Sequence, residues 1–297
     1  GRYVTGHSQA GGCGTGRIPE SAVGPTTATS FYLARPPMAS TTRSTRLGRA
    51  HTPLLLALAW KNVRLRYKSS MLGFVWTLLN PLIFLGIFLL IFSNAFPQVP
   101  NYAVFALTGL VFWSFFATVS GHVLGALVEN ASILKSLAVP PLAFPLGQLL
   151  AGLFNLLLSF VPLAAILVWF GWRPAPQHLL IVPATALFAL FVFGIGLCLC
   201  ALNVFFRDIG LLWNALLPAF FYLTPIAYPP DLVPERLRWI AELNPLYHFI
   251  ALVRSILVEG AMPTTGEWGT VVFLATVAMA VGLLVHRWLR KGYVANY

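Results

Sequence analysis

Lys61, Arg64, Arg66 and Lys68 place four cations in the eight residues KNVRLRYK, just ahead of a long apolar run. Cations at that density attract phosphate groups, whether on lipid headgroups or on a diphosphate-bearing solute. Other residue types that could do chemistry do not assemble. The stretch GGCGTGRI, Gly11–Ile18, has the glycine spacing of a P-loop. Arg17 stands where the phosphate-binding Lys belongs, however, and Ile18 where a Mg²⁺-binding Ser or Thr belongs; neither a strand nor a helix pattern flanks the stretch. No other segment fits, so no nucleotide-hydrolysing site of the P-loop kind is expected. Cys198 and Cys200 are spaced C-x-C inside an apolar run and read as small packing residues. The histidines are scattered and offer no metal-ligand spacing, so no metal site is expected.

The elements that must position the cationic cluster are written in the composition. Of 297 residues, 58% are hydrophobic and only 9% charged, against about 25% charged in soluble domains. After Lys68 the next charged residue is Glu129, and after Lys135 it is Arg173. A spanning helix needs about 20 apolar residues at roughly 1.5 Å each, and runs of this length are read as membrane spans. The net charge of +11 fits the enrichment of Lys and Arg in cytoplasmic segments of membrane proteins. With no basic domain to carry it, no nucleic-acid partner is expected.

Residues 1–50 differ from the rest: they are rich in Gly, Ser, Thr, Pro and Arg, without periodicity. Such a segment buries too little apolar surface to offset its ordering entropy, and a disordered tail is expected. Met38 is a candidate start residue, with 1–37 a candidate extension ahead of it. Residues 51–70 form a second unit and 71–297 a membrane domain. Six apolar runs have spanning length, roughly 72–96, 102–128, 142–170, 178–202, 210–228 and 269–288. An all-α, multi-pass integral membrane protein follows. Lys61, Arg64, Arg66, Lys68, Lys135, Arg207, Arg287, Arg290 and Lys291 fall on one side of these spans. Arg173, Arg236, Arg238 and Arg254 fall on the other, beside five carboxylates. The positive-inside bias then puts both termini in the cytoplasm.

The cationic stretch reads as an amphipathic helix, with Leu56, Trp60, Val63 and Tyr67 on one face and Lys61, Arg64 and Lys68 on another. It is expected to lie in the cytoplasmic interface, as a topology anchor or as a phosphate-attracting element. Between spans five and six, DLVPERLRWIAEL and PLYHFIALVRSILVEG both read as helices too short to cross, divided at Asn244-Pro245. They predict a re-entrant pair or a peripheral cap. ENASILKSLAVPP, Glu129–Pro141, predicts a short cytoplasmic helix, either a solvated turn or a docking element. Phe84, Phe88 and Phe92 recur at helical spacing in span one, and Trp213, Phe220, Phe221 and Tyr222 occur in span five. Rings in spans serve packing or could line a path for sugar rings. No Asp, Glu, Lys or Arg lies within a span away from its ends, whereas ion-coupled transporters use intramembrane charge. Energy for transport must then come from elsewhere.

RLRYKSSMLGFVWTLLNPL (64–82), LNVFFRDIG (202–210), YLTPIAYP (222–229) and LNPLYHFIALVRSIL (243–257), in that order, resemble the ABC-2 family of transporter membrane subunits, in particular the polysaccharide exporters of the O-antigen or teichoic-acid kind. The resemblance covers residues 54–297. It implies a permease in the bacterial cytoplasmic (inner) membrane, forming a homodimeric pore driven by two copies of a separate ABC ATP-binding subunit that holds ATP and Mg²⁺. The permease itself carries no cofactor. The resemblance further implies a coupling helix at Glu129, Asn130, Ser132, Ile133, Leu134 and Lys135, and an interface helix at Trp60, Lys61, Arg64, Arg66 and Lys68. It implies a re-entrant turn at Asn244 and Pro245, and a conduit lined by spans one and five with their aromatics. Arg207 and Asp208 match a cytoplasmic Arg-Asp, as an ion pair or an interface contact. The loop departs from the family's more basic pattern at Lys135, Ser136 and Pro141. The implied cargo is a polyprenyl-diphosphate-linked glycan, with membrane lipids as the surroundings. Two other readings stand beside it: an ABC-2 exporter of a drug or lipid, and a membrane-embedded lipid-sugar transferase, with a stand-alone channel third.

Overall fold

The computed structural model describes residues 52–67, 75–92, 96, 99, 101–136 and 139–293, all within a unit spanning Arg46–Tyr297. Residues 1–50, Lys68 and the start of the first predicted span lie outside the described residues, as does the side chain of Arg66. Every regular element among the described residues is helical. This is the expected solution for an apolar chain, because a helix satisfies its own backbone groups where water is absent.

Among the described residues ten α-helices follow in order: α1 Thr52–Tyr67, α2 Val75–Phe92, α3 Tyr102–Glu129, α4 Ala131–Ser136, α5 Ala143–Trp169, α6 Ile181–Asn203, α7 Asp208–Leu223, α8 Arg238–Leu243, α9 Pro245–Arg254 and α10 Thr265–Leu289. Among the same residues four helical stretches, Tyr102–Glu129, Ala143–Trp169, Pro176–Asn203 and Thr265–Gly292, are long and apolar enough to cross a bilayer. At 27 or 28 residues each measures about 40 Å. The other two predicted spans appear as the shorter helices α2, with 18 residues, and α7, with 16.

The central helix is α3. The apolar core of its span is 72% buried, against 17% for α10 at the periphery, whose Phe273, Val281, Leu284 and Trp288 stay exposed. α3 packs against α2, α5, α6, α7 and α9, and α6 packs along α10. Small residues permit the closest approaches. A Cβ added to Gly194 would collide with the Ala278 backbone, and one on Gly282 with the Gly194 carbonyl. Without a hydrophobic drive between helices in lipid, such fits hold a bundle together. The start of α10 is fixed by a reciprocal cap, in which the Thr264 backbone N–H donates to Glu267 Oε2 at 2.7 Å and the Glu267 N–H donates to Thr264 Oγ at 3.3 Å.

One local expectation is corrected. DLVPERLRWIAEL is not one helix: it forms single 3₁₀ turns at Pro230–Leu232 and Glu235–Leu237 before the six-residue α8. Pro230 and Pro234 lack the N–H that a continuous helix requires. α1 packs on the bundle through a face other than its more apolar one. Ala59 is buried and Leu58 half-buried, whereas Leu56 and Trp60 are exposed. α1 lies on α5, where a Cβ on Gly147 would meet Leu58 Cβ at 3.1 Å and Asn62 Nδ2 at 3.4 Å. The small glycine selects that face over the more apolar one.

Candidate functional site

α2, α3 and α7 enclose an open groove of about 420 Å³. α2 contributes Asn80 and Phe84, α3 contributes Trp113, Ser114 and Thr118, and α7 contributes Asn214, Pro218, Phe221 and Tyr222. The lining carries aromatic rings, two carboxamides and three hydroxyls, and no charged side chain. The rings form a connected set: Trp113 meets Phe221 edge-on at 5.3 Å, and Phe221 meets Tyr222 at 5.4 Å. Tyr222 and Phe84 expose 74% and 46% of their surface, so their faces are available to a solute. Pro218 has no N–H to offer the Asn214 carbonyl one turn back, which leaves a backbone acceptor on the same wall.

The wall formed by α7 is anchored on α3, to which it runs antiparallel. Near its start, the Asn203 amide reaches the Leu124 carbonyl at 3.4 Å, and the Trp213 indole N–H donates to Ser120 Oγ at 3.1 Å. Trp213 is buried and stacks edge-on to Phe116 at 5.8 Å. Of the aromatics singled out in sequence, the structure thus brings Phe84, Phe221 and Tyr222 to the groove. Trp213 and Phe88 are buried, and Phe92 joins a ring ladder, 5.9 Å from Phe88 and 5.6 Å from Phe96. Phe220 is half-buried beside Trp213 at 5.9 Å.

The cationic and cytoplasmic candidates gather at the Glu129 end of α3. Glu129, Ser132 and Lys135 are exposed, while Ile133 and Leu134 lean on the core. Lys61 Nζ on α1 donates to Asn130 Oδ1 at 3.2 Å, and Asn130 Nδ2 donates back to the Ala126 carbonyl at 2.9 Å. α1 is therefore bonded to the residue that joins α3 to α4. The Arg64 guanidinium sits 5.2 Å from the Trp60 ring centre, and both side chains are exposed. Arg207 and Asp208 are exposed at the corner from α6 to α7. Asp208 occupies the first turn of α7, where a carboxylate favours the positive end of the helix. At the opposite end, Asn244 caps α9 by accepting from the Leu246 N–H at 3.0 Å, with Pro245 in the first turn.

A family model described as the ABC-2 type transporter matches residues 53–258. The chain belongs to the ABC-2 type transporter family. This makes it the membrane-embedded permease subunit of a transporter and not an enzyme. The ABC-2 permease is 34% identical over 211 residues to the O-antigen export system permease protein RfbA of Klebsiella pneumoniae, an alignment covering 70% of this chain and 82% of the relative. It is 28% identical over 235 residues to the RfbA of Myxococcus xanthus, covering 78% and 88%. It is 24% identical over 237 residues to the polysialic acid transport protein KpsM of Escherichia coli, covering 78% and 91%.

One cation of the permease has surroundings that sequence alone does not give. Arg254 counts in sequence as an outer-side cation within the short helix PLYHFIALVRSILVEG. In the structure it closes α9 and is only 6% exposed, against Phe105 and Gly109 on α3. The available signal was a single Arg between Val253 and SILV in an otherwise apolar stripe, because a lone cation inside an apolar helix requires internal partners. Asn80, Asn214, Ser114 and Thr118 were also missed. Isolated polar residues in apolar runs reveal a shared site only after the helices are assembled.

Proposed function

We propose that this ABC-2 permease exports a lipid-linked, hydroxyl-rich glycan across the bacterial cytoplasmic membrane. The observation that carries this reading is the groove itself. Aromatic faces beside carboxamides and hydroxyls, with no charge among them, suit the C–H faces and hydroxyls of neutral sugar rings. The named export of O-antigen by the more similar relatives agrees with that lining. The groove opens away from α3, and a second copy of the chain would wall its free side, making a conduit at a two-fold interface.

Six crossings follow if α2 and α7, at about 27 and 24 Å, complete the four long spans. The Glu129 end is cytoplasmic by the positive-inside bias. There the cations of α1, Lys61, Arg64, Arg66 and Lys68, attract the diphosphate of the lipid carrier. The exposed α4 docks a separate ATP-binding subunit, two copies of which supply ATP and Mg²⁺ to the dimer. Movement of α4 reaches α1 through the Lys61–Asn130 bond and reaches the groove through α3, by rigid-body shifts. At the outer end α9 enters the bundle from outside, and α8 lies on the surface.

The test is ATP-driven export by the permease co-purified with its ATP-binding subunit in vesicles. N80A, N214A and W113A should each lower transport of a polyprenyl-diphosphate-linked oligosaccharide by about tenfold with assembly unchanged. Wild-type transport by all three, or ATP-driven movement of a cationic dye in place of the oligosaccharide, refutes the glycan reading.

A further inference from the structure

We propose that Arg254 is the positioning residue of an outer gate, a clasp that holds the turn after α7 against α3 and so keeps the groove closed to the outside. The proposal rests on the groove being part of the transport path and extends it to the element that seals that path.

The turn Thr224–Tyr228 follows the helix that carries Phe221 and Tyr222. Three of its carbonyls, those of Pro225, Ile226 and Ala227, are captured by side chains from other elements. Arg254 Nη1 donates to the Pro225 carbonyl at 2.7 Å, and Nη2 to the Ile226 carbonyl at 2.6 Å. The same guanidinium reaches across to α3, where Nε and Nη2 donate to the Phe105 carbonyl at 3.3 and 3.2 Å. It also lies over the Phe105 ring at 3.5 Å from the ring centre. One side chain thus joins α9, α3 and the turn. Two further bonds act on the same turn. Tyr102 Oη donates to the Ala227 carbonyl at 2.6 Å, and Asn244 Nδ2 donates to Thr224 Oγ at 2.7 Å.

The site is shaped for the guanidinium. A Cβ on Gly109 would lie 2.7 Å from Arg254 Nη2, so the glycine leaves the space that the head group fills. Only Arg presents a planar fork of five donors; the three donors of Lys radiate from a single nitrogen and do not match carbonyls spread across that fork. The buried charge is secure while the turn stays in place. If α7 swings away from α3, the Pro225 and Ile226 carbonyls leave, and the guanidinium keeps only the Phe105 carbonyl and ring among the contacts named above. The open state is thereby disfavoured until the ATP-binding subunit drives it, and the clasp re-forms when the turn returns.

The test uses the permease with its ATP-binding subunit in glucose-loaded vesicles without ATP. R254Q should leak glucose about tenfold faster than wild type, with the subunit ratio unchanged. A Cβ on Gly109 would lie 3.2 Å from Ile226 Cγ2, close enough for G109C and I226C to form a disulfide. That disulfide, added to R254Q, should restore tightness, and reduction should abolish it again. Vesicles of assembled R254Q as tight as wild type overturn the proposal, as does a leak that the disulfide leaves unchanged. If R254Q fails to assemble, G109A decides: the guanidinium remains but is displaced, and leak supports the clasp while tightness overturns it. Glucose leak is read without glycan or ATP, so it stands or falls separately from the identity of the cargo.

Discussion

Replacing Gly194 by Ala tests whether the α6–α10 seam holds the periphery of the permease. A Cβ on Gly194 would lie 2.5 Å from the Met279 backbone N and against the Ala278 carbonyl. Non-bonded heavy atoms settle at about 3.5–4.0 Å, so α10 must retreat by about 1 Å. A radial gap of that size forfeits roughly a quarter to a half of the attraction along the seam. The obstacle is backbone and cannot rotate aside, which places the cost near the upper end of the ~1–3 kcal/mol seen for overpacking. Ala gains about 1 kcal/mol over Gly in helix propensity, leaving a net loss of about 2 kcal/mol. Gly121 on α3 has nothing within 4 Å of an added Cβ, so G121A should instead stabilise by about 0.5–1 kcal/mol. Reversible unfolding in mixed detergent micelles measures both. If G194A unfolds within about 0.5 kcal/mol of G121A, the close approach of α6 and α10 does not govern how α10 is held. G194A/G282A should cost less than the sum of the two single changes, because both push on one seam.

S120A strands the buried Trp213 indole N–H and should cost about 1–3 kcal/mol in the same unfolding assay; W213A, which also empties the site, should cost more. T264A removes the cap of α10 and should cost about 1 kcal/mol, seen as faster hydrogen exchange confined to residues 265–268. R64E, placed among the cations of α1, should lower glycan export at least about tenfold while the ATP-binding subunit still co-purifies; normal export would remove Arg64 from substrate attraction. Scrambling Ser132–Ser136 should have the opposite signature, with the ATP-binding subunit lost on purification and the thermal stability of the permease unchanged.

What was legible in the sequence follows the kind of physics each feature uses. Long uncharged runs specify α3, α5, α6 and α10 because spanning length is a one-dimensional property. Leu246, Phe249, Ile250 and Val253 recur at helical spacing and form part of the buried face of α9, a pattern that periodicity alone defines. Asn244-Pro245 likewise marks the start of α9 through capping chemistry that is local in sequence. Features that depend on three-dimensional fit were not legible. α1 turns Leu58, Ala59 and Asn62 to the bundle because Gly147 offers room there, and a scale of hydrophobicity does not register room. The burial of Arg254 was not legible because its acceptors are carbonyls of Phe105, Pro225 and Ile226, 149, 29 and 28 residues away in the chain. The groove was half legible: Phe84, Phe221 and Tyr222 stand out in sequence as span aromatics, whereas Trp113 does not, and Asn80 and Asn214 sit on different helices and meet only through α3.

The distribution of polar contacts divides the bundle into a part that is locked and a part that is tethered. α6 and α10 meet through glycine against backbone, and α3 and α5 meet where a Cβ on Gly152 would strike Val119. Such contacts are all-or-none: a helix displaced by an ångström loses them together. α1, α7 and α9 pack on the bundle too, and are held in addition by discrete hydrogen bonds, Lys61 to Asn130, Trp213 to Ser120 and Arg254 to its carbonyls. Discrete bonds can break and re-form one at a time, each at the modest net cost of about 0.5–3 kcal/mol, within reach of a conformational drive. The groove lies between the two classes, with α3 as its fixed wall and α7 as its tethered one. A transport cycle built on this permease would therefore move α7 relative to α3 and leave the α6–α10 seam intact.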